Sequence, residues 1–177
     1  TWGRLPVGQR ADYLHRVADI IERRHDEFLA AEVADTGRPI NQARSLDIYR
    51  GMHNFRTFAE LGRHAHSEFY ETHLGDGSEL INYVKRKPLG VVASISPWNM
   101  PLLSLTWKAA PALICGNGIV CKPSEETPST AGLLAEAFDE AGVPAGAFNL
   151  VHGFGPDSAG AFLAAHPGID AASCAGA

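Results

Sequence analysis

Leu89-Gly90-Val91-Val92-Ala93-Ser94-Ile95-Ser96-Pro97-Trp98-Asn99-Met100-Pro101-Leu102 reads as a buried strand, a sharp turn and the start of a helix. Val91 to Ile95 is mostly apolar and partly β-branched, as in a strand covered on both faces. Pro97 stops that strand, and Pro101 suits the first turn of a helix. Asn99 falls at the strand's carboxyl end, where parallel α/β sheets place ligand chemistry. Further on, Val120-Cys121-Lys122-Pro123-Ser124-Glu125 reads as a second strand ending in Lys and Glu three positions apart.

From Gly90 onward the chain alternates strand and helix, which implies a parallel, right-handed α/β layer. Residues 102–115 form an apolar helix, expected to bend at Pro111. Ile119 to Lys122 is a strand. Thr127 suits an N-cap with Pro128 at the first helical position, and Gly142 with Pro144 closes that helix. Phe148 to Val151 is a third strand. Gly153-Phe154-Gly155-Pro156 is a turn before a short helix ending near Ala165, and Ile169 to Cys174 is a fourth strand.

Upstream the periodicity is helical. Pro6 to about Val33 is one long amphipathic helix with Leu14, Val17, Ala18, Ile21, Phe28 and Leu29 on its apolar face. Gly37 and Pro39 end it. A second helix spans about Asn41 to Leu61, with Leu46, Tyr49, Met52, Phe55, Phe58 and Ala59 inward. Asp76-Gly77 is a hairpin turn between flanks 66–74 and 80–86, in which Ile81, Tyr83 and Lys85 face one way. The organisation is a helical part at 1–64, a hairpin at 65–87 and an α/β part at 88–177.

The chain has 177 residues, 45% of them hydrophobic, enough to bury a core. A net charge of -5 argues against nucleic acid or an anionic membrane as partner. No run reaches transmembrane length and no secretory leader is read. Three cysteines without metal-like spacing fit a reducing cytoplasm. The eight histidines form no metal pattern, and His64 and His66 read as surface residues.

Several residues suggest chemistry. The Asn99 amide suits an oxyanion donor, and equally the cap of the following helix. Lys122, Ser124 and Glu125 suit a ribose clamp or a solvated loop. Lys108, in an apolar helix, is either functional or a lysine reaching back to solvent. The glycines of 153–160 suit a phosphate-binding turn or simply a tight one.

Together these motifs resemble the NAD(P)-dependent aldehyde dehydrogenases, along nearly the whole chain. The resemblance implies a Rossmann-like parallel sheet with flanking helices, preceded by two long helices and an oligomerisation hairpin. It implies oxidation of a small-molecule aldehyde with NAD, or NADP, in a homo-oligomer. In the family, the Asn of Pro-Trp-Asn stabilises the oxyanion, which is Asn99 here. The Lys matching Lys108 takes part in proton relay. Ile95, Ser96, Pro97 and Trp98 with Lys122, Ser124 and Glu125 would contact the cofactor, as would Gly153, Gly155 and Gly160. Glu125 favours NAD over NADP. The glycine spacing, Glu32 to Pro39 and Asn54 to Ala59 resemble the 2-hydroxymuconic semialdehyde branch, whose relatives handle aromatic aldehydes and aminomuconic semialdehyde.

The family usually reads Phe-Thr-Gly-Ser, or Glu in the last place, where this chain reads Cys174-Ala175-Gly176-Ala177. Only Gly176 matches, so hydroxyl contacts to the cofactor are lost there. The family's general-base Glu and nucleophilic Cys lie beyond this point. The resemblance therefore describes a truncated cofactor-binding domain, active only weakly by itself or serving as an inactive nucleotide-binding or structural remnant. Exposed strand edges would then favour a closed oligomer with swapped elements.

Overall fold

A computed structural model describes residues 1–175; the Gly176 match lies outside the described residues. A 3-10 turn at Trp2–Arg4 leads into helices α1 (Val7–Arg23) and α2 (His25–Thr36). Helix α3 (Ile40–Gln42), a π-helical segment at Ala43–Ile48 and helix α4 (Tyr49–Arg63) follow without a gap. The hairpin is β1 (Phe69–His73) and β2 (Glu79–Tyr83). The alternating part is β3 (Val91–Ile95), α5 (Pro101–Ile114), β4 (Gly118–Lys122), α6 (Ser129–Glu140), β5 (Phe148–Leu150), α7 (Ala159–Ala165) and β6 (Ala171–Cys174).

The expected long first helix is two helices. At Arg24 the backbone leaves the helical region, with φ -93° and ψ 19°. Its guanidinium bonds Glu27 and Glu136, tying the bend to α6. No Gly or Pro marks the break, and the apolar period continues across it. Leu14, Val17, Ala18, Ile21, Phe28 and Leu29 are all buried.

The second helix is also irregular. Its π-helical stretch alters the phase, so Ala43, Asp47 and Ile48 turn inward. Tyr49, expected inside, is exposed and packs on the His53 ring. Met52, Phe55 and Ala59 are buried as the periodicity requires.

The four strands of the main sheet are parallel in the order β5-β4-β3-β6. The chain moves outward from β3 through β4 to β5, then returns to place β6 on the other side of β3. That reversal creates a crevice at the strands' carboxyl ends. Helix α5 runs through Pro111 uninterrupted and packs against β3, β4, α1 and α4. Its side chains join those of α1, α4 and α6 in one apolar core. Trp2 anchors the amino terminus to that core, its indole donating to the Leu113 carbonyl at 2.9 Å. Helix α7 buries only Gly160 and leaves Phe162 exposed. Among the described residues, no helix is long and apolar enough to cross a membrane.

Candidate active site

Strands β3 and β4 end side by side, with Ile95 opposite Lys122. The Ser96 N–H extends the ladder by donating to the Lys122 carbonyl at 3.1 Å. Beyond these ends lies a cleft of about 300 Å³ lined by Ile95, Ser96, Pro97, Trp98, Lys122, Ser124, Glu125, Gly155 and Gly160. Its position is the crevice that the strand order predicts.

The cleft's polar groups are partly committed and partly free. The buried Lys122 ammonium donates to the Pro123 carbonyl at 2.7 Å and to Glu125 Oε2 at 3.0 Å. The Glu125 carboxyl is held below its ordinary range by its own backbone N–H and then by Lys122. Ser124 Oγ accepts from the Glu126 N–H at 3.3 Å. Ser96 is buried, and its hydroxyl has no hydrogen-bond partner among the described residues. A buried hydroxyl left unpaired is costly in a finished interior and suits a wall that meets a polar ligand.

Two of the three candidate glycines approach the cleft. Gly155 lines it, and a Cβ there would meet nothing within 4 Å. Gly160 packs on that turn: a Cβ would stand 2.9 Å from the Gly155 Cα, so only glycine lets α7 approach. Gly153 is set back from the lining. A Cβ on it would be 2.7 Å from that of Ala159, which gives it a packing role in the turn.

Asn99 lies on the exposed turn between β3 and α5. Met100 occupies the N-cap position of α5, and no side chain caps that helix. The capping alternative for Asn99 therefore has no geometric basis. Lys108 reaches back from α5 and donates to the Ile95 carbonyl, at the end of β3. It is half-buried, and desolvation lowers its pKa. Cys174 ends β6 opposite Ile95, on the other side of β3 from Lys122.

The helical part supplies supports that sequence reasoning missed. Asp35, on α2, accepts from the Ser129 N–H at 2.8 Å and from its hydroxyl at 2.9 Å. It thus caps α6 from another helix, the task expected of Thr127. The Thr127 hydroxyl instead donates to the Trp98 carbonyl at 3.3 Å, joining the two strand-end loops. Arg38 donates to the Asn99 carbonyl and pairs with Asp47. A larger groove of about 600 Å³, lined in part by Val7, Arg10, Arg86, Leu89 and Cys115, lies at the amino ends of β3 and β4. Its apolar residues are scattered along the sequence, so no motif announces it.

The whole chain, residues 1–177, matches the profile described as "Aldehyde dehydrogenase family". It is 55% identical over 175 residues to the 2-aminomuconic 6-semialdehyde dehydrogenase of Pseudomonas sp., covering 99% of this chain and 36% of that protein. It is 56% identical over 175 residues to the 2-hydroxymuconic semialdehyde dehydrogenase of Pseudomonas sp. (strain CF600), again covering 99% and 36%. Among solved structures, that of PnpE in complex with nicotinamide adenine dinucleotide is 40% identical with a TM-score of 0.88, covering 95% of this chain and 34% of that one. The chain thus spans about a third of the length of the relatives it matches. With the profile matched from end to end, the chain belongs to the aldehyde dehydrogenase family.

Proposed function

We propose that this chain holds the dinucleotide and stabilises the oxyanion in the NAD-dependent oxidation of an aldehyde, of muconic semialdehyde or aromatic type, to its carboxylic acid. One observation carries the reading: Pro97 and Trp98, the neighbours of Asn99, share one cleft with the Lys122–Glu125 pair at the carboxyl ends of adjacent strands, while Asn99 itself stands beside that lining. The substrate class follows the relatives' names.

The lining fits the adenosine end of a dinucleotide. Glu125 offers a carboxylate to ribose hydroxyls, and Lys122 keeps one N–H beyond the two it uses. The free Ser96 hydroxyl and the open wall at Gly155 complete the cradle. The cofactor, when bound, accepts the hydride lost by the aldehyde carbon. Lys122 is engaged by Glu125, so little positive charge is left for a 2′-phosphate. That supports NAD over NADP. Asn99 would donate its amide to the oxygen of the tetrahedral adduct, contributing roughly 3 kcal/mol. Lys108, held on the Ile95 carbonyl with a lowered pKa, suits proton transfer at the same strand end. The nucleophile and base come from outside residues 1–175 in this reading, because neither Cys115 nor Cys121 lines the cleft and Cys174 stands at the Phe position of the family pattern. The exposed hairpin would pair with further copies of the chain in a homo-oligomer.

Calorimetric titration of the chain with NAD and NADP tests the binding half, and absence of NAD binding would sink the reading. NADH formation from 2-hydroxymuconic semialdehyde, after mixing with the remaining two thirds of a relative, tests the chemical half. NAD bound without turnover in that mixture would favour a nucleotide-binding remnant, a reading motivated by the third of a relative that this chain spans.

A further inference from the structure

Arg38 follows Gly37, whose left-handed backbone (φ 67°) ends α2 and turns the chain back toward the sheet. The guanidinium bridges two segments that are distant in sequence. Nη1 lies 3.2 Å and 3.1 Å from the two Asp47 carboxylate oxygens, and Nη2 donates to the Asn99 main-chain carbonyl at 2.5 Å. The Arg38 backbone is fixed as well, its N–H donating to Thr36 Oγ at 3.2 Å.

The Asp47 side chain is fully buried and lies on the π-helical segment. Desolvating buried ions offsets much of what their pairing gains, so such a pair is weak evidence for stability as its purpose. π-helical turns are rare and concentrate at functional sites. Here the π turn brings a charge inward beside Ile48, where a regular core helix would carry an apolar residue.

The neighbouring peptide is held too. The Trp98 carbonyl accepts from Thr127, and the Asn99 carbonyl from Arg38. These carbonyls belong to the peptide planes before and after the Asn99 Cα. Fixing both planes fixes its φ and ψ, and with them the direction of its Cβ. We propose that Arg38, oriented by Asp47, is a positioning residue that aims the Asn99 side chain out of the strand end. Its catalytic meaning rests on the oxyanion reading above; its geometry does not. A lysine at position 38 would supply a point charge in place of the fork and hold only one of the two partners well.

The test uses ¹⁵N-labelled chain and the side-chain amide signals of Asn99, assigned by their loss in Asn99→Asp. The Trp98 indole is a second local reporter. The Trp2 indole and the Asn117 amide, bonded elsewhere, serve as controls. Arg38→Ala is expected to shift the Asn99 and Trp98 signals and leave the controls in place. Arg38→Lys and Asp47→Asn should shift them part of the way along the same line. Static Asn99 and Trp98 signals in Arg38→Ala, or in Arg38→Lys and Asp47→Asn should the alanine variant not fold, overturn the proposal. So does an equal shift of the controls, which would mean general loosening. The oxyanion reading fails separately: it falls if Asn99→Ala leaves aldehyde oxidation in the mixed enzyme unchanged, whatever the signals show.

Discussion

In the function proposed above, the Glu125 carboxylate would discriminate between two cofactors. It is the only acidic group on the cleft wall among the described residues, and it occupies the buried Lys122. Glu125→Ala should weaken NAD binding by about 1–3 kcal/mol, the scale of a hydrogen bond to a charged group. Glu125→Gln should do less harm to NAD and should narrow the preference over NADP, because it frees Lys122 for a phosphate. Calorimetry with both dinucleotides reads the two effects, and an unchanged preference in Glu125→Gln would remove the ribose-clamp assignment. At Asn99 the prediction separates chemistry from structure. Asn99→Ala should leave stability within about 0.5 kcal/mol, since the residue caps nothing. It should lower oxidation in the mixed enzyme by on the order of a hundredfold. A clear loss of melting temperature would contradict the first half. The placement of Asn99, Lys122 and Glu125 at strand ends is legible in the sequence, because each ends or follows a short apolar strand; their proposed roles are for the variants to test. Arg38 and Asp47 are not legible. Arg38 meets its partners 9 and 61 positions away; Gly37 announces the left-handed turn, but no pattern of residues announces the π-helical phase change that brings Asp47 inward.

Helix α2 is the element that ties the helical part to the site. Asp35 gives α6 an N-terminal acceptor that its own sequence does not provide. Asp35→Ala should cost about 1 kcal/mol, the usual worth of a capping side chain; urea denaturation measures it, and a neutral effect would show that water caps the helix as well. Glu32, one turn earlier, is fully buried, and its carboxyl oxygens have no well-formed partner among the described residues. Burial first, and the charge of Asp47 second, push its pKa from 4.5 up to about 7. The folded state therefore holds this proton more tightly than the unfolded chain does. The resulting stability is fully present below about pH 4.5 and is lost as the pH rises to about 7. The shift corresponds to about 3 kcal/mol over that window. Glu32→Gln cannot lose the proton, so its stability relative to the parent should grow between pH 5 and pH 8. Parallel pH profiles for the two proteins would refute a neutral Glu32. The existence of α2 was legible, but not its separation from α1. The apolar period runs through Arg24 unbroken, and the bend is accompanied by ion pairs from Arg24 to Glu27 and Glu136, which lie far apart in the sequence or outside the apolar pattern.

At the scale of the whole molecule, the hairpin has no core of its own. Cross-strand pairing puts Phe69 opposite Tyr83 and Glu71 opposite Ile81, so Phe69, Ile81 and Tyr83 share one face. They are 64%, 70% and 73% exposed. The alternation of Ile81 and Tyr83 was readable in the sequence; that nothing among the described residues covers them was not. A lone two-stranded hairpin is marginal in water, and among the described residues each of its strands has an unpaired edge that invites another strand. Burying three such side chains would contribute on the order of 5 kcal/mol, enough to offset much of the cost of association. A second copy of the chain offers the same face and edge, so in the proposed homo-oligomer the pairing would close on itself under rotational symmetry. Light scattering at micromolar concentration should therefore give a multiple of 18.9 kDa. Lysines at both Ile81 and Tyr83 should bring the mass down to that of one chain. The cleft lies at the other part of the fold, lined by no hairpin residue, so the same double variant should bind NAD as the parent does. A monomeric parent would end the oligomer proposal. A doubly substituted chain that stays associated would move the interface to the edge strands β5 and β6, which have no outer neighbour strand among the described residues.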